Sequence, residues 1–358
     1  MGIELCRGLA ALMVMLTHYA AFIPDAPAGL GYLWTGVDFF FVISGFVFAP
    51  MLLQSLQGPQ AHTQLLPFWL RRIFRIYPLY LLALLAYFVF TPDAEQKAYY
   101  FYRHLFFLHT TESFAEAYFF NPAFWSLPVE MEYYLVLPLL ALLKGDGRKL
   151  LWVAGGTFVL SLYANYVRGP EDFWRVMSVH LPTILPEFML GTLLAAAVTH
   201  GKALKWRWYG KQATLAFGVG LALLLLTYLI KYGGLGLENS LWLDAPWNFL
   251  CAAAYALLMF PLLLTDELHW PQWLRQTALM AGAASYGVYL FHNLLPPLLV
   301  RAGLEASGWS FVLSAMLLTV VLALVLYRFY ENPLRRFGRD LARRVAQSTE
   351  VPKISVGP

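Results

Sequence analysis

Apolar runs of about twenty residues, long enough to cross a hydrocarbon core as helices, recur from residue 5 to residue 330 with few charges inside them. That recurrence restricts the chain more than any other feature. A segment in lipid finds no water for its backbone, so only helices or a closed barrel can span, and unbroken runs of this length suit helices. The chain is 59% hydrophobic and 13% charged, against about a quarter charged in an average soluble domain. The expected fold class is all-α: a polytopic transmembrane helical bundle, with one integral domain over residues 1–330 and a cytoplasmic polar tail over 331–358.

Hydropathy places ten spans, at 5–23, 33–53, 77–92, 124–143, 149–167, 177–199, 212–231, 246–264, 279–300 and 308–330. Orientation follows from Lys and Arg near the membrane faces. With the amino terminus inside, nineteen of the 25 fall on the inner side; six (Lys97, Arg103, Arg168, Arg175, Lys231 and Arg301) fall outside. Ten spans with both termini cytoplasmic satisfy this asymmetry. The aromatic stretch "AYYFYRHLFFLHT", 98–110, is short, and a crossing there places "KGDGRK", 144–149, on the wrong side. It is expected to be re-entrant or interfacial on the outer side.

Other classes drop out. The net charge of +4 comes from inner-face loops and does not indicate nucleic-acid binding. Cys6 and Cys251 fall in apolar spans at opposite depths, which argues against a disulfide framework and a thiolate metal site. The "APA" at 26–28 resembles a signal-peptide cleavage site but lies too far past the apolar run, so the first span is expected to be permanent.

An ionisable group at depth costs about 2.5–3.5 kcal/mol on insertion scales, so each one needs a partner, a wet cavity or a task. In "RGLAALMVMLTHY", Arg7 and His18 stand eleven residues apart. Eleven residues return to nearly the same face of a helix, about 16 Å along it. Arg7 then lies near the inner surface and His18 in the outer half. Asp38, in "GVDFFFVISGF", is about as far from the outer loop as His18, and "FWSLPVEMEYYLVLPLL" adds Glu130 and Glu132 at similar depth. Histidine suits proton transfer near neutral pH. The plainer alternatives are that His18 bonds a neighbouring helix, that Arg7 snorkels to lipid phosphates, and that Asp38 caps its helix.

On the inner side, "WLRRIFRIYPLY" sets Arg71, Arg72 and Arg75 at spacings of three and four, which gathers guanidinium groups on one side of a helix. Such a cluster grips phosphates, or anchors the chain to anionic lipid. Glu187, His292 and Glu331 lie in or at the ends of later spans, where each can be a satisfied contact between helices.

In order, "RGLAALMVMLTHY", "GVDFFFVISGF", "RRIFRIYPLY", "FWSLPVEMEYYLVLPLL", "LPEFMLG", "SYGVYLFHNL" and "YENP" make the chain resemble the acyltransferase-3 family of integral membrane O-acyltransferases, over nearly its whole length. The resemblance implies an enzyme of about ten helices in a bacterial inner membrane. It takes an acyl group, acetyl by default, from cytoplasmic acyl-CoA and places it on a hydroxyl of an envelope glycan, a sugar or a small molecule. No permanently bound cofactor and no metal are implied. By the same resemblance His18, Asp38 and Glu130 are the catalytic candidates, and Arg7, Arg71, Arg72 and Arg75 bind acyl-CoA. Trp125, Ser126 and His292 support the substrate site. Two departures stand out. Many relatives carry an Arg where this chain has Ile184, which puts a role for Glu187 in doubt. The soluble esterase-like domain that some relatives append is not expected here, so the acceptor is expected to be met by the membrane domain or a partner.

The expected mechanism has His18 as general base on the acceptor hydroxyl, with Asp38 or Glu130 orienting its ring, while acyl-CoA enters from below; an acylated His18 is the variant. A transporter or flippase is the rival reading, since polar groups at mid-depth also line substrate pathways.

Overall fold

In a computed structural model the described residues are 1–53, 65–143, 146–167, 173–203, 209–234, 237, 240–264 and 270–349, and every regular element among them is a helix. The first four are α1 (Gly2–Tyr19), α2 (Ala28–Tyr32), α3 (Gly36–Leu53) and α4 (Leu65–Phe90). There follow α5 (Lys97–Leu105), α6 (Phe114–Ala117), α7 (Ser126–Ala141), α8 (Gly147–Val167), α9 (Phe173–Met177) and α10 (Leu181–Ala203). The remainder are α11 (Tyr209–Tyr232), α12 (Leu241–Asp244), α13 (Trp247–Leu264), α14 (Gln272–Phe291), α15 (Leu295–Arg301), α16 (Gly308–Leu326) and α17 (Asn332–Thr349).

Eight helical stretches have the length and apolarity to cross a membrane: Gly2–Phe22, Ala28–Leu53, Leu65–Phe90, Gly147–Val167, Phe173–Gly201, Gly210–Tyr232, Trp242–Leu264 and Gly308–Ser348. The two other expected spans are also helices, but weaker ones. At 16 residues, α7 is about 24 Å long, less than a hydrocarbon core of about 30 Å. Helix α14 opens on the polar "QWLRQT" and stops at Phe291, so the expected unbroken span 279–300 is corrected to a helix, a turn and the short α15.

That break has a covalent cause. Pro296 and Pro297 have no N–H to continue the ladder, and they suit the first turn of a new helix. The carbonyl of His292 thereby loses the donor four residues on, and the buried Tyr19 hydroxyl supplies one at 2.8 Å. Asn121 likewise donates to the Leu290 carbonyl at 3.1 Å. Irregular backbone at membrane depth is tolerated where protein groups satisfy it in this way.

Small residues set the tightest helix contacts. A Cβ on Gly45 of α3 falls 1.8 Å from the Phe188 carbonyl oxygen of α10, and one on Gly191 falls 2.0 Å from the Val42 oxygen. Only hydrogen fits at either position, and Thr192 bonds across this contact to the Gly45 carbonyl at 3.3 Å. Helices α1 and α14 meet similarly, Gly8 lying against Ala281 and Gly282 against Glu4.

The segment 98–110 forms α5 and a turn, and nine residues are too few to cross. The expected polar tail is largely a helix, α17, which continues α16 through a π-helical turn at Tyr327–Glu331. It lies back along α4, with Gly338 against Phe74, the Phe74 and Phe337 rings 5.4 Å apart, and Ala342 buried. Residues 350–358 of that tail, and Lys144, Arg168, Lys205, Arg207 and Lys353 of the charge tally, lie outside the described residues.

Replacing Gly45 by Ala is expected to lower stability in detergent by roughly 1–3 kcal/mol, because the new methyl meets backbone. Gly155→Ala in α8, where an added Cβ meets nothing within 4 Å, is expected to leave stability unchanged or raise it by up to about 1 kcal/mol. Thermal unfolding checks both, and an unchanged melting temperature in Gly45→Ala contradicts the close contact.

Candidate active site

Helices α1, α3, α4, α7 and α14 enclose a cleft of about 800 Å³ lined by Arg7, Ser44, Arg72, Arg75, Ser126, Glu130, Tyr134, Tyr286 and Tyr289, among others. Its charge is mainly positive. Arg72 lies 4.8 Å over the Phe48 ring and 5.8 Å from that of Phe68, and its buried Nε has no hydrogen-bond partner among the described residues. An aromatic bed holds a guanidinium without neutralising it. Arg7 pairs with Glu4 at 2.9 Å, and Arg75 with the buried Glu331 at 2.5 Å. Glu130 accepts from Ser44 at 3.4 Å and also from the Tyr134 hydroxyl.

A second cavity of about 980 Å³ is lined by Trp34, Asp38, Trp125, Glu187, Arg175, Lys231 and Asn248, among others. Here charges of both signs meet aromatic rings. Asn248 donates to Asp38 at 3.3 Å, and the Glu187 carboxyl contacts that of Asp38. Lys231 pairs with Asp244 at 2.8 Å and sits 4.1 Å over Trp247, on which Trp34 stacks at 5.3 Å.

Phe41 lines both cavities. Its ring meets that of Trp125 edge-on at 6.2 Å. Trp125 faces the mixed-charge cavity and the next residue, Ser126, faces the basic cleft. The two spaces therefore share a wall about one aromatic ring thick.

His18 lies on neither of these two cavities. Its Nδ1 is 2.8 Å from the Val14 carbonyl oxygen and 3.2 Å from Nε2 of His292, whose own Nδ1 is 3.0 Å from the Val288 oxygen. A carbonyl only accepts, so each Nδ1 carries a proton. His18 Nδ1 then donates to Val14 and to the lone pair on His292 Nε2, which leaves His18 Nε2 as an unprotonated nitrogen. The contacts lead on from His292 to Tyr289, with ring centroids 6.3 Å apart, and from the Tyr289 hydroxyl to Ser126 at 2.6 Å. Tyr289 and Ser126 are walls of the basic cleft.

Several expectations change. No carboxylate bonds the His18 ring among the described residues: its partner is His292, while Asp38 is held by Asn248 and Glu130 by Tyr134 and Ser44. The sequence places Asp38 and His18 at one depth, but Asp38 lines the mixed-charge cavity and His18 lines neither cavity. The Arg cluster divides as well. Arg72 and Arg75 join Arg7 in the cleft, whereas Arg71 lines a separate groove with Arg72 and Phe68. Neighbouring residues on a helix diverge by about 100°, and the packing of Arg72 on Phe48 turns Arg71 outward. Glu132, two residues from Glu130, faces elsewhere and accepts from the Leu181 N–H at 2.7 Å at the start of α10, beside His180.

Asn248, Lys231, Arg175, Tyr286 and Tyr289 were not expected in the site. Polar residues at the ends of apolar runs were the available signal for the first three. Arg328 and Arg335 were counted only as face charges.

A family model described as an acyltransferase domain matches residues 2–328. A protein of Acidianus two-tailed virus, provisionally named an acetyltransferase, is 27% identical over 318 residues, covering 83% of this chain and 84% of its own. An O-acetyltransferase of Staphylococcus aureus is 24% identical over 366 residues, 94% of this chain and 57% of the relative. A Bacillus subtilis protein provisionally named a peptidoglycan O-acetyltransferase is 24% identical over 383 residues, 96% of this chain and 56% of the relative. The chain thus spans little more than half the length of those two bacterial relatives. No solved structure matches it. With eight apolar helices of spanning length and a family match over nearly its whole extent, the chain is an integral membrane protein and belongs to the acyltransferase-3 family.

Proposed function

We propose that the protein moves an acyl group, acetyl by default, from acyl-CoA to a hydroxyl of a sugar, glycan or small molecule. The observation that carries this reading is the pair of cavities meeting at Phe41, one lined by Arg7, Arg72 and Arg75 and the other by aromatic and hydrogen-bonding side chains. Phosphates suit the first. Hydroxyls stacked on rings and bonded by carboxylates and amides suit the second. Relatives named as O-acetyltransferases support the transfer chemistry.

In this reading the chain crosses a bacterial inner membrane ten times, α7 and α14 completing the count, with both termini cytoplasmic. The basic cleft then opens inward and the mixed-charge cavity outward. The pantetheine arm runs up the cleft past Glu130 and Tyr134 to Ser126 and Tyr289, at the wall behind which His292 and His18 stand. Asp38, Asn248 and Trp125 hold the acceptor.

In this reading the wall at Ser126 and Tyr289 opens when both ligands bind, and His18 Nε2 then takes the proton as the acceptor oxygen attacks the thioester carbonyl. The C–S bond breaks, and the leaving thiolate recovers that proton, so the products are the ester and free CoA. His292 replaces the expected carboxylate as the group that orients His18. Its Nε2 lone pair and the Val14 carbonyl accept from His18 Nδ1–H, and both bonds strengthen when His18 becomes cationic.

Detergent-solubilised protein with radiolabelled acetyl-CoA and candidate acceptors tests the proposal, since an enzyme turns over without a compartment and a transporter does not. His18→Ala is expected to lower turnover by about 10²–10⁴ with the protein still inserted; full activity in that variant removes the scheme. His292→Ala is expected to lower kcat with little change in KM, and His292→Gln, which keeps an acceptor, to recover part of it. Arg72→Gln is expected to raise KM for acetyl-CoA roughly tenfold through loss of a charge-assisted contact, with kcat little changed. An unchanged KM assigns Arg72 to packing alone.

A further inference from the structure

The basic cleft continues beyond Arg7 and Arg75. The same two side chains line a further opening of about 1320 Å³, joined there by Glu4, Arg328, Asn332 and Arg335. Arg328 comes from the π-helical turn and Arg335 from α17, the segment expected to be only a polar tail. Acids are too few to balance the arginines. Glu4 pairs with Arg7 at 2.9 Å, while a single oxygen of Glu331, Oε1, serves both Arg75 at 2.5 Å and Arg335 at 3.3 Å. The other Glu331 oxygen is buried without a partner among the described residues. Arg328 makes no ion pair among those residues; its guanidinium lies 5.8 Å from the ring of Phe329. Four guanidinium groups thus face two carboxylates, leaving two positive charges in excess beside an open space.

An excess of two charges suits a phosphate monoester, which carries close to two negative charges at neutral pH. Coenzyme A carries such a group on the 3′-oxygen of its ribose, apart from the diphosphate that leads to the pantetheine arm. Resting on the donor reading above, we propose that this opening seats the 3′-phosphate of acyl-CoA, with Arg328 and Arg335 as its ligands. The diphosphate lies nearer Arg7 and Arg75, where the opening joins the cleft. The tail helix is then part of the donor site, because Glu331 ties Arg335 of α17 to Arg75 of α4 and sets their spacing. A lipid phosphodiester offers two terminal oxygens instead of three and one charge, so it neutralises only half of the excess.

The test uses the full chain in nanodiscs of zwitterionic lipid, titrated with acetyl-CoA and with its 3′-dephospho counterpart. The unaltered protein is expected to prefer acetyl-CoA about tenfold or more, the size of a charge-assisted contact. Arg328→Gln and Arg335→Gln are expected to erase that preference by weakening acetyl-CoA alone. Arg336→Gln, which removes the same charge from an exposed position on the same helix and outside the opening, is expected to keep it. Since Arg328→Gln breaks no ion pair, it separates loss of the seat from loosening of the tail. Equal binding of the two ligands by the unaltered protein, or a preference that survives in both variants, overturns the seat and leaves the donor reading standing. Equal binding of the two ligands, together with binding of anionic lipid that Arg328→Gln and Arg335→Gln weaken, assigns the arginines to a headgroup and likewise overturns it. Failure of the unaltered protein to bind either ligand overturns the donor reading itself, and the seat with it.

Discussion

Pro296 cannot donate a backbone hydrogen bond, and the His292 carbonyl it leaves bare is taken by the Tyr19 hydroxyl. The arrangement of the site follows from that exchange. An unsatisfied carbonyl at membrane depth costs several kcal/mol, so α14 can stop at Phe291 only where α1 delivers a donor. Tyr19 in turn bonds the hydroxyl of Thr319 on α16 at 2.9 Å, which fixes three helices around the break. His18 is the residue next to Tyr19, and the same exchange brings its ring against His292. A structural repair and the pairing of two histidines are therefore one feature.

The second constraint is the backbone contact between α3 and α10. Gly45 and Gly191 let the helices approach until carbonyls nearly touch Cα atoms, and this contact draws Asp38 and Glu187 together near one end of the pair. Phe41, between Asp38 and Gly45 on α3, is buried as the wall between two cavities. A wall one side chain thick sets a basic cleft beside a mixed-charge, aromatic cavity, which is the arrangement that the proposed transfer between two ligands needs.

Charge is distributed to match. The basic cleft and the opening beyond it draw on α1, α4, the π-helical turn and α17, elements from both ends of the chain, and are joined by Glu331. A carboxylate shared by two arginines organises them while leaving charge over for a ligand. Arg72 is held by rings instead of by an acid, which keeps its N–H groups available.

The order of apolar runs was enough to establish an all-helical membrane chain, because lipid leaves the backbone few alternatives, and the motifs around Arg7, His18, Asp38 and Trp125 indicated the family. Arg71, Arg72 and Arg75 were read as one group close to Arg7 because of their helical spacing; Arg72 and Arg75 share the cleft with Arg7, whereas Arg71 lines another groove. An expected depth could be read from distance to a loop. Direction could not, and that is why Asp38 and Glu130 were matched to His18 although they face other cavities. The break was written in Pro296 and Pro297, but the capping of the His292 carbonyl by Tyr19, the partnership of His18 with His292, and the folding of the tail onto α4 were decided by contacts between residues more than two hundred positions apart. Such contacts depend on how helices rotate and pack against one another, which hydropathy along a chain does not encode.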